Sequence, residues 1–447
     1  MKNDQPDLSS LTREQLLAEL ARRSVTDASD MSGMERANEA LASELKTTTM
    51  ATRLRGLEDA EDSVVSRPCP KCGRGAPVKA RRRCRKLVTL SGMHELRRNY
   101  HYCSACRHGW YPLDEELRLP EDGELTAEVE RRLLDFGLHD TFGDAAERWA
   151  MHYTGISASE NLMRLVVERV GLRVERQAPS EVHARLNPSS EDPASLLIVG
   201  VDGCMLPTRG DDPWREAKVA VIYRAENLER KGARGRGCIG AARYAAVIGS
   251  RDALETQLEA ALAAEGAERA QQAVFVGDGA SWVWNVAEAL LPDAHQVLDW
   301  WHVAEHVAEC GRALLDDDGL RSAWCRRVED HVWNGELDYI LFELEACVSE
   351  AGLQGTEAEA IQRLVAYLES HEDRLNYAVF REVGFPIGSG FVESAHRHVL
   401  HARMKRSGQR WDVHRGNRMA GLRAALRTTG PQKLYEALQP RIERLAA

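Results

Sequence analysis

The spacing of apolar positions changes character several times along the chain, and each change predicts a different kind of element. At 126–138, Val129, Leu133 and Leu134, with Leu125 just before them, repeat at helical steps. A second helix fits 142–153. A third, capped by Ser157 or Ser159, runs through Leu162, Leu165 and Val166 to Val170. From residue 196 short apolar runs take over: 196–201, 218–223, 244–248, 273–276 and 296–298 read as five buried strands, with helices at about 252–264 and 282–291. Helical spacing then returns from about His302 to Phe380, as in Leu337, Ile340, Leu341 and Leu344, and again in Ile361, Leu364, Val365 and Leu368. A last helix follows Gly388-Ser389-Gly390, with Ser389 placed to cap it and Val392, Ala395, Val399 and Ala402 on its inward face.

Polar residues 1–63 hold two short leucine patterns (Leu11, Leu16, Leu17, Leu20; then Leu41, Leu45, Leu54) and predict a partly helical arm. Pro179, Pro188, Ser189, Ser190 and Pro193 predict a linker, and Lys231 to Gly240 a Gly- and Arg-rich loop. The chain then divides into the arm at 1–63, a cysteine-bearing module at 64–112 and a helical region at 113–180. A linker at 181–195 leads to a strand-and-helix core at 196–301, a helical insertion at 302–380, the rest of the core at 381–430 and a tail at 431–447. The expected class is multidomain, mixing α+β and α/β. The break at Thr154-Gly155-Ile156 has helix-turn-helix length, so 113–180 suits either DNA reading or plain helical packing.

At 447 residues, 43% hydrophobic and 29% charged, the chain is long enough for a substantial core. No apolar run is long enough to span a bilayer, and Met1-Lys2-Asn3-Asp4 does not open a signal peptide, so a cytoplasmic protein is expected. There, ten cysteines read as metal ligands or buried thiols rather than disulfides. The net charge of -10 hides a strong asymmetry: residues 66–110 carry 12 Lys or Arg against one acid, Glu95, and 396–427 carry 9 against Asp412. Two basic blocks on an acidic body suit a polyanion partner.

Cys69-Pro-Lys-Cys72 and Cys103-Ser-Ala-Cys106 are two knuckles of the spacing that holds one tetrahedral Zn in a zinc ribbon. Strands at 86–90 and 97–102 would lie between them. Cys84 has no partner at ligand spacing, and His94, His101 and His108 read as surface or strand residues. Arg81, Arg82, Arg83, Arg85, Arg97 and Arg98 tilt this module toward phosphate contact.

Asp202 ends the first core strand, Asp278 follows the fourth, and Glu393 lies on the last helix. Three strands, helix, strand, helix, strand and a late helix is the element order of an RNase H-like fold, which would gather these acids at one sheet edge. Three carboxylates select hard cations, Mg or Mn. Two such ions about 3.5–4 Å apart serve in-line displacement at phosphorus. Asp299-Trp300-Trp301-His302 reads either as a core and capping segment or as a second pair, Asp299 with His302, that orients a catalytic carboxylate or a phosphate.

The ordered set Gly200-Val201-Asp202-Gly203, Gly277-Asp278-Gly279-Ala280 with Trp284, Leu298-Asp299-Trp300-Trp301-His302 with Glu305-His306, Ile387 to Glu393, Arg403 to Gly408 with Trp411, and Leu422-Arg423-Ala424 resembles the DDE transposases of bacterial insertion sequences. The likeness is nearest to the ISKra-type group, distant to Mutator-like elements, and covers roughly residues 65–430. It implies that Asp202, Asp278 and Glu393 form the catalytic triad, and that Asp299 and His302 match an Asp-x-x-His signature. It also implies double-stranded DNA as partner, at the element's ends and at the target, and at least a dimer on it, with no membrane role. Arg397, Arg403, Lys405, Arg406 and Arg410 would hold phosphates near the site. Two rival readings are a catalytically silent DNA-binding regulator and a nuclease of the same fold that does not join strands.

Overall fold

The computed structural model describes residues 12–23, 30–121, 123–153, 155–187, 192–231, 236–349 and 354–438. The chain forms two compact units, one from Met1–Phe136 and Phe142–Met163, the other from Gly137–Thr141 and Arg164–Arg441.

Helices α1 (Arg13–Arg23) and α2 (Met31–Asp62) occupy the expected arm; Leu11 lies outside the described residues. Asp30 starts α2 by accepting the Gly33 N–H at 2.6 Å. The second leucine pattern belongs to this single helix of 32 residues, whose last turns are anchored. Leu54 is buried with Leu87, Leu96 and Leu113. Strands β1 (Ser66–Pro68), β2 (Gly75–Thr89), β3 (Gly92–Cys103) and β4 (His108–Trp110) form an antiparallel sheet in that order. A bulge interrupts β2 between Ala80 and Arg83, with Arg82 at φ 53°.

Helices α3 (Pro112–Glu116), α4 (Ala127–His139), α5 (Phe142–His152) and α6 (Glu160–Glu175) follow. Of the two candidate caps, Ser159 is the one used, its hydroxyl accepting the Leu162 N–H at 3.2 Å. The expected linker is in part a helix, α7 (Pro179–Leu186). Proline lacks an N–H that a first helical turn would leave unbonded anyway, so Pro179 starts this helix instead of breaking it. Val182, His183 and Leu186 are buried; Pro188, Ser189 and Ser190 lie outside the described residues.

The second unit is built on β5 (Leu197–Pro207), β6 (Trp214–Arg224), β7 (Leu228–Lys231), β8 (Arg236–Ile239), β9 (Arg243–Ile248), α8 (Arg251–Glu265), β10 (Ala273–Gly277), α9 (Ser281–Leu290) and β11 (His295–Leu298). Five strands make one mixed sheet in the order β11-β10-β5-β6-β9. Strands β5, β6 and β9 are antiparallel neighbours, while β10 runs parallel to β5 and β11. The Gly- and Arg-rich loop contains the hairpin β7–β8; its tip, 232–235, lies outside the described residues.

Helices α10 (Trp300–Leu314), α11 (Asp318–Trp333), α12 (Leu337–Ser349), α13 (Gly355–Ser370) and α14 (Tyr377–Glu382) form the insertion. They share one apolar core with the sheet: Val199, Phe275 and Val297 belong to the same cluster as Val307, Leu364 and Tyr377. Tyr377 also donates its hydroxyl to the Leu298 carbonyl at 2.9 Å. The last helix runs as α15 (Gly390–Ala395), a π-helical stretch (His396–His401) and α16 (Ala402–Met404), before α17 (Val413–Thr429) and α18 (Pro431–Leu438). Residues 439–447 of the expected tail lie outside the described residues. Among the described residues, no helix is long and apolar enough to cross a membrane.

Candidate functional site

Asp202 lies inside β5, opposite Val219, rather than at a strand end. The apolar run stops at Val201, but the ladder with β6 continues to Pro207, so hydrophobicity alone ends the strand too early. Val276 of β10 is level with Gly200 of β5. Two residues further along these parallel strands, Asp278 comes level with Asp202. Asp278 is turned by Gly279 at φ 98° and accepts the Ala280 N–H at 3.0 Å. Burial raises the Asp278 carboxyl above its ordinary range; the Ala280 N–H opposes this, and the nearby Asp202 charge adds to it. Asp202 accepts its neighbour Gly203's N–H at 2.6 Å, and its Oδ2 lies 3.1 Å from Nε2 of His396.

Next along the sheet edge, Gly277 pairs with Leu298, which brings Asp299 beside Asp278. Asp299 is 2% exposed and saturated with partners. Its Oδ2 accepts the Ser389 hydroxyl at 2.8 Å and lies 2.8 Å from His302 Nδ1. Its Oδ1 accepts the backbone N–H of Ser389 at 3.0 Å and of Trp301 at 3.4 Å. Ser389 does stand at the N-cap of α15, but its hydroxyl caps nothing there and is spent on Asp299. Burial alone would raise the Asp299 carboxyl; hydrogen bonds from His302 and Ser389 outweigh it and hold the group below its usual value. His302 is raised, first by its hydrogen bond to Asp299, against burial, and further by the charges of Asp299, Asp278 and Asp202. The core-and-capping reading of this segment fits one of its two tryptophans. Trp300 packs edge-on against Trp333 and Tyr377, whereas Trp301 is 69% exposed.

Gly200 positions the helix of Glu393. A side chain there would come within 2.5 Å of Phe391 and Val392, so only glycine lets α15 rest on β5. Val392 is buried, but the Glu393 carboxylate is exposed and pairs with Arg397 at 3.1 Å. The structure therefore brings Asp202, Asp278, Asp299 and His302 together, and seats the helix of Glu393 on the same strand with its carboxylate turned to solvent. Among the described residues, the groups of three or more potential metal ligands that converge within 4.8 Å are the four cysteines and Cys204, His396 and His401; the three acids are not such a group. Asp202 and Asp278 nonetheless offer only oxygen side by side, a donor set that fits a hard divalent cation.

Regular α-helical spacing turns Ala402 inward. The π stretch shifts the register after His401, so Ala402 is exposed while Arg403 and Met404 are buried. Arg403, expected at phosphate, is 1% exposed; it donates to the Gly137 carbonyl at 3.1 Å and lies over the Trp411 ring. Arg85 and Arg98 are likewise structural. Both pair with Asp114, at 2.8 and 2.9 Å, and Arg98 stacks on Tyr111. Arg406 is half-buried and donates to the Ala402 and His139 carbonyls. Arg81, Arg82, Arg83, Arg97, Arg397, Lys405 and Arg410 are exposed.

The four cysteines do converge: Sγ of Cys69 and Cys106 are 3.4 Å apart, and those of Cys72 and Cys103 3.6 Å. The backbone N–H of Cys106 draws the Cys103 thiol down, while burial pushes that of Cys106 up. Four thiols at this spacing can hold one structural Zn. His101 lies within the sheet, fully buried, with Nδ1 3.1 Å from the Ala76 carbonyl, and His94 is also buried.

Sequence reading missed His396 and underread Ser389. The first lies off the row of Glu393, Arg397, His401 and Lys405 on its helix, and the second needed a partner 90 residues away.

The fold and the site define a mixed α/β protein with a carboxylate–imidazole cluster at one edge of its sheet, joined to a four-cysteine unit. The chain belongs to the uncharacterised protein family UPF0236, whose profile matches residues 77–434. It is also 27% identical over 332 residues to the "UPF0236 protein in vanSb 3'region" of Streptococcus gallolyticus. That alignment covers 68% of this chain and 66% of the relative, so the chain spans just under two thirds of the relative's length.

Proposed function

We propose that this protein is a DNA transposase with an RNase H-like catalytic core, cleaving the ends of its own element and joining them to target DNA. One observation carries the reading. A central strand bears Asp202, the parallel strand beside it delivers Asp278 to the same level, and Gly200 seats the helix of Glu393 on that central strand. Asp202, Asp278 and Glu393 would hold two Mg or Mn ions. When bound, these would polarise the attacking oxygen and neutralise the leaving one. The chain's own groups do the rest. Asp299 ties Ser389 to the edge of the sheet and so fixes where α15 begins. The His302 imidazole, held on Asp299 with its charged form favoured by the neighbouring acids, would suit a phosphate oxygen. The four-cysteine unit is read as a zinc ribbon. Its exposed Arg81, Arg82, Arg83 and Arg97, together with Arg397, Lys405 and Arg410, would bear on the phosphates of double-stranded DNA. Acting on two ends at once implies at least a dimer, working in the cytoplasm on the nucleoid of a bacterium.

The exposure of Glu393 and its pairing with Arg397 favour one alternative, a DNA-binding regulator without chemistry. Strand cleavage and joining on a labelled element end with Mg or Mn separates the two. Wild type should cut and join, while Asp278→Asn and Glu393→Gln bind the end but lose at least a hundredfold in rate, on the order of 3 kcal/mol of barrier. Binding without metal-dependent cutting by wild type would establish the regulator. Cutting without joining of a supplied 3′-hydroxyl would leave a nuclease.

A further inference from the structure

Cys204, His396 and His401 gather a thiol and two imidazoles beside Asp202, their donor atoms all within 4.8 Å of one another. Successive strand residues point to opposite faces, so Asp202 and Cys204, two apart on β5, share one. The imidazoles meet because of the π-helical stretch. Residues five apart on an α-helix point about 140° away from each other, given 3.6 residues per turn. A π turn closes i to i+5 and brings such residues onto one face. The rings of His396 and His401 are accordingly stacked, 5.9 Å between centroids and 30° between planes.

His396 is 3% exposed, and neither of its ring nitrogens has an aligned hydrogen-bond partner. Asp202 Oδ2 lies only 3.1 Å from Nε2, close enough to attract it but not placed along an N–H direction. His401 Nε2 is also buried without a hydrogen bond. Polar nitrogens buried in this way are costly unless something satisfies them. The polar groups nearest the His396 ring are Asp202 and Cys204.

We propose that Cys204, His396 and His401, with Asp202 as fourth ligand, form a transition-metal site of the zinc class, separate from the four-cysteine cluster. One sulfur, two imidazole nitrogens and one carboxylate oxygen form a donor set of the tetrahedral kind that Zn accepts. A thiolate with two imidazoles selects Zn over Mg. Around a tetrahedral Zn, ligand atoms lie about 3.3–3.8 Å apart, so small side-chain rotations close the group of three, and Asp202, outside that group but with Oδ2 3.1 Å from His396 Nε2, turns further to complete it. Cys204 and His401 are half-buried, which leaves the ion a way in. A consequence rests on the transposase reading: an ion here takes Asp202 away from the hard-cation pair, so zinc would inhibit Mg-dependent chemistry.

The test is metal stoichiometry and the Co²⁺ absorption spectrum of the full chain, compared with Cys204→Ser, His401→Gln and Cys72→Ser. Wild type should hold two ions per chain. Cys204→Ser and His401→Gln should each hold one, with the Co²⁺ bands of a mixed sulfur–nitrogen site lost. Cys72→Ser should lose the other ion and keep those bands. The ion retained at the four cysteines serves as the folding control for the first two variants. A wild type that binds one ion, lost in Cys72→Ser, would overturn the proposal, as would two ions retained in both Cys204→Ser and His401→Gln. None of these readings needs DNA, so failure here leaves the transposase reading standing, and the converse holds.

Discussion

Asp299 shows how much one buried carboxylate can organise. It accepts from Ser389 and Trp301 and pairs with His302, joining the start of α10 to the start of α15. Asp299→Ala should destabilise the chain by about 1–3 kcal/mol, because the Ser389 groups lose their acceptor inside the protein. Denaturant unfolding reads this directly. Asp299→Asn keeps an acceptor but removes the charge, so the His302 pKa should fall toward its ordinary value, as seen by NMR titration of the ring. Because the folded His302 pKa is raised, its stabilising effect is full below the unfolded value of about 6.5 and is lost as pH rises through the folded value. An unchanged His302 titration in Asp299→Asn would show that the pair is not coupled. The sequence offered Asp299 with His302 as one of two readings of that segment, a pairing the resemblance also implied, and in the structure Asp299 caps the helix that carries His302. Sequence alone could not reveal Ser389, because local capping logic assigns that hydroxyl to its own helix.

Elements were legible where a single period ran unbroken. The five strands of the mixed sheet follow from short apolar runs, and the helices between them and the helical character of the insertion from three-and-four spacing. The π stretch was not legible, since His396 to His401 carries no mark that separates it from an α-helix, and so Ala402 and Arg403 exchange their expected places. Gly200 belongs to the same scale. Gly200→Ala should force Phe391 and Val392 off β5, cost about 1–3 kcal/mol by overpacking and, on the proposed transposase reading, lower cleavage with it. Wild-type unfolding and activity in this variant would mean that α15 is not seated as described. Helix α7 offers a test by pH. Burial, reinforced by the Arg243 charge, lowers the His183 pKa to about 4. The unfolded chain therefore binds more protons than the folded one between about 4 and 6.5. Stability should be full above about 6.5 and fall by up to about 3 kcal/mol as pH drops through that window. His183→Gln should flatten this part of the profile in thermal or denaturant unfolding.

For the whole molecule, the sorting of charge matters more than the net value of -10. Counting cations located two basic blocks but could not say which were spent internally. Arg85 and Arg98 are held by Asp114, and Arg403 by the Gly137 carbonyl, whereas Arg81, Arg82 and Arg83 beside the β2 bulge stay exposed, the first two reaching back only to Asp62. If the proposed DNA partner is right, replacing those three by alanine should weaken its binding and reduce the slope of log affinity against log salt by up to about 3, near 0.9 for each phosphate no longer neutralised. An unchanged slope would place DNA elsewhere on the molecule. The four-cysteine cluster was fully legible because two knuckles of fixed spacing determine it. The acid cluster was only partly so, since the orientation of the Glu393 side chain depends on packing that no spacing encodes.

The bond between Asp299 and Ser389 also imposes an order in time. Synthesis runs at about 5–20 residues per second, so Asp299 waits roughly 5–20 s for the residue that completes it. Throughout that interval Asp202 and Asp278 already exist on the growing chain without the helix that bears Glu393. A chain that stops anywhere within the insertion carries Asp202, Asp278 and Asp299 but neither Ser389 nor Glu393, so the bond between Asp299 and Ser389 never forms.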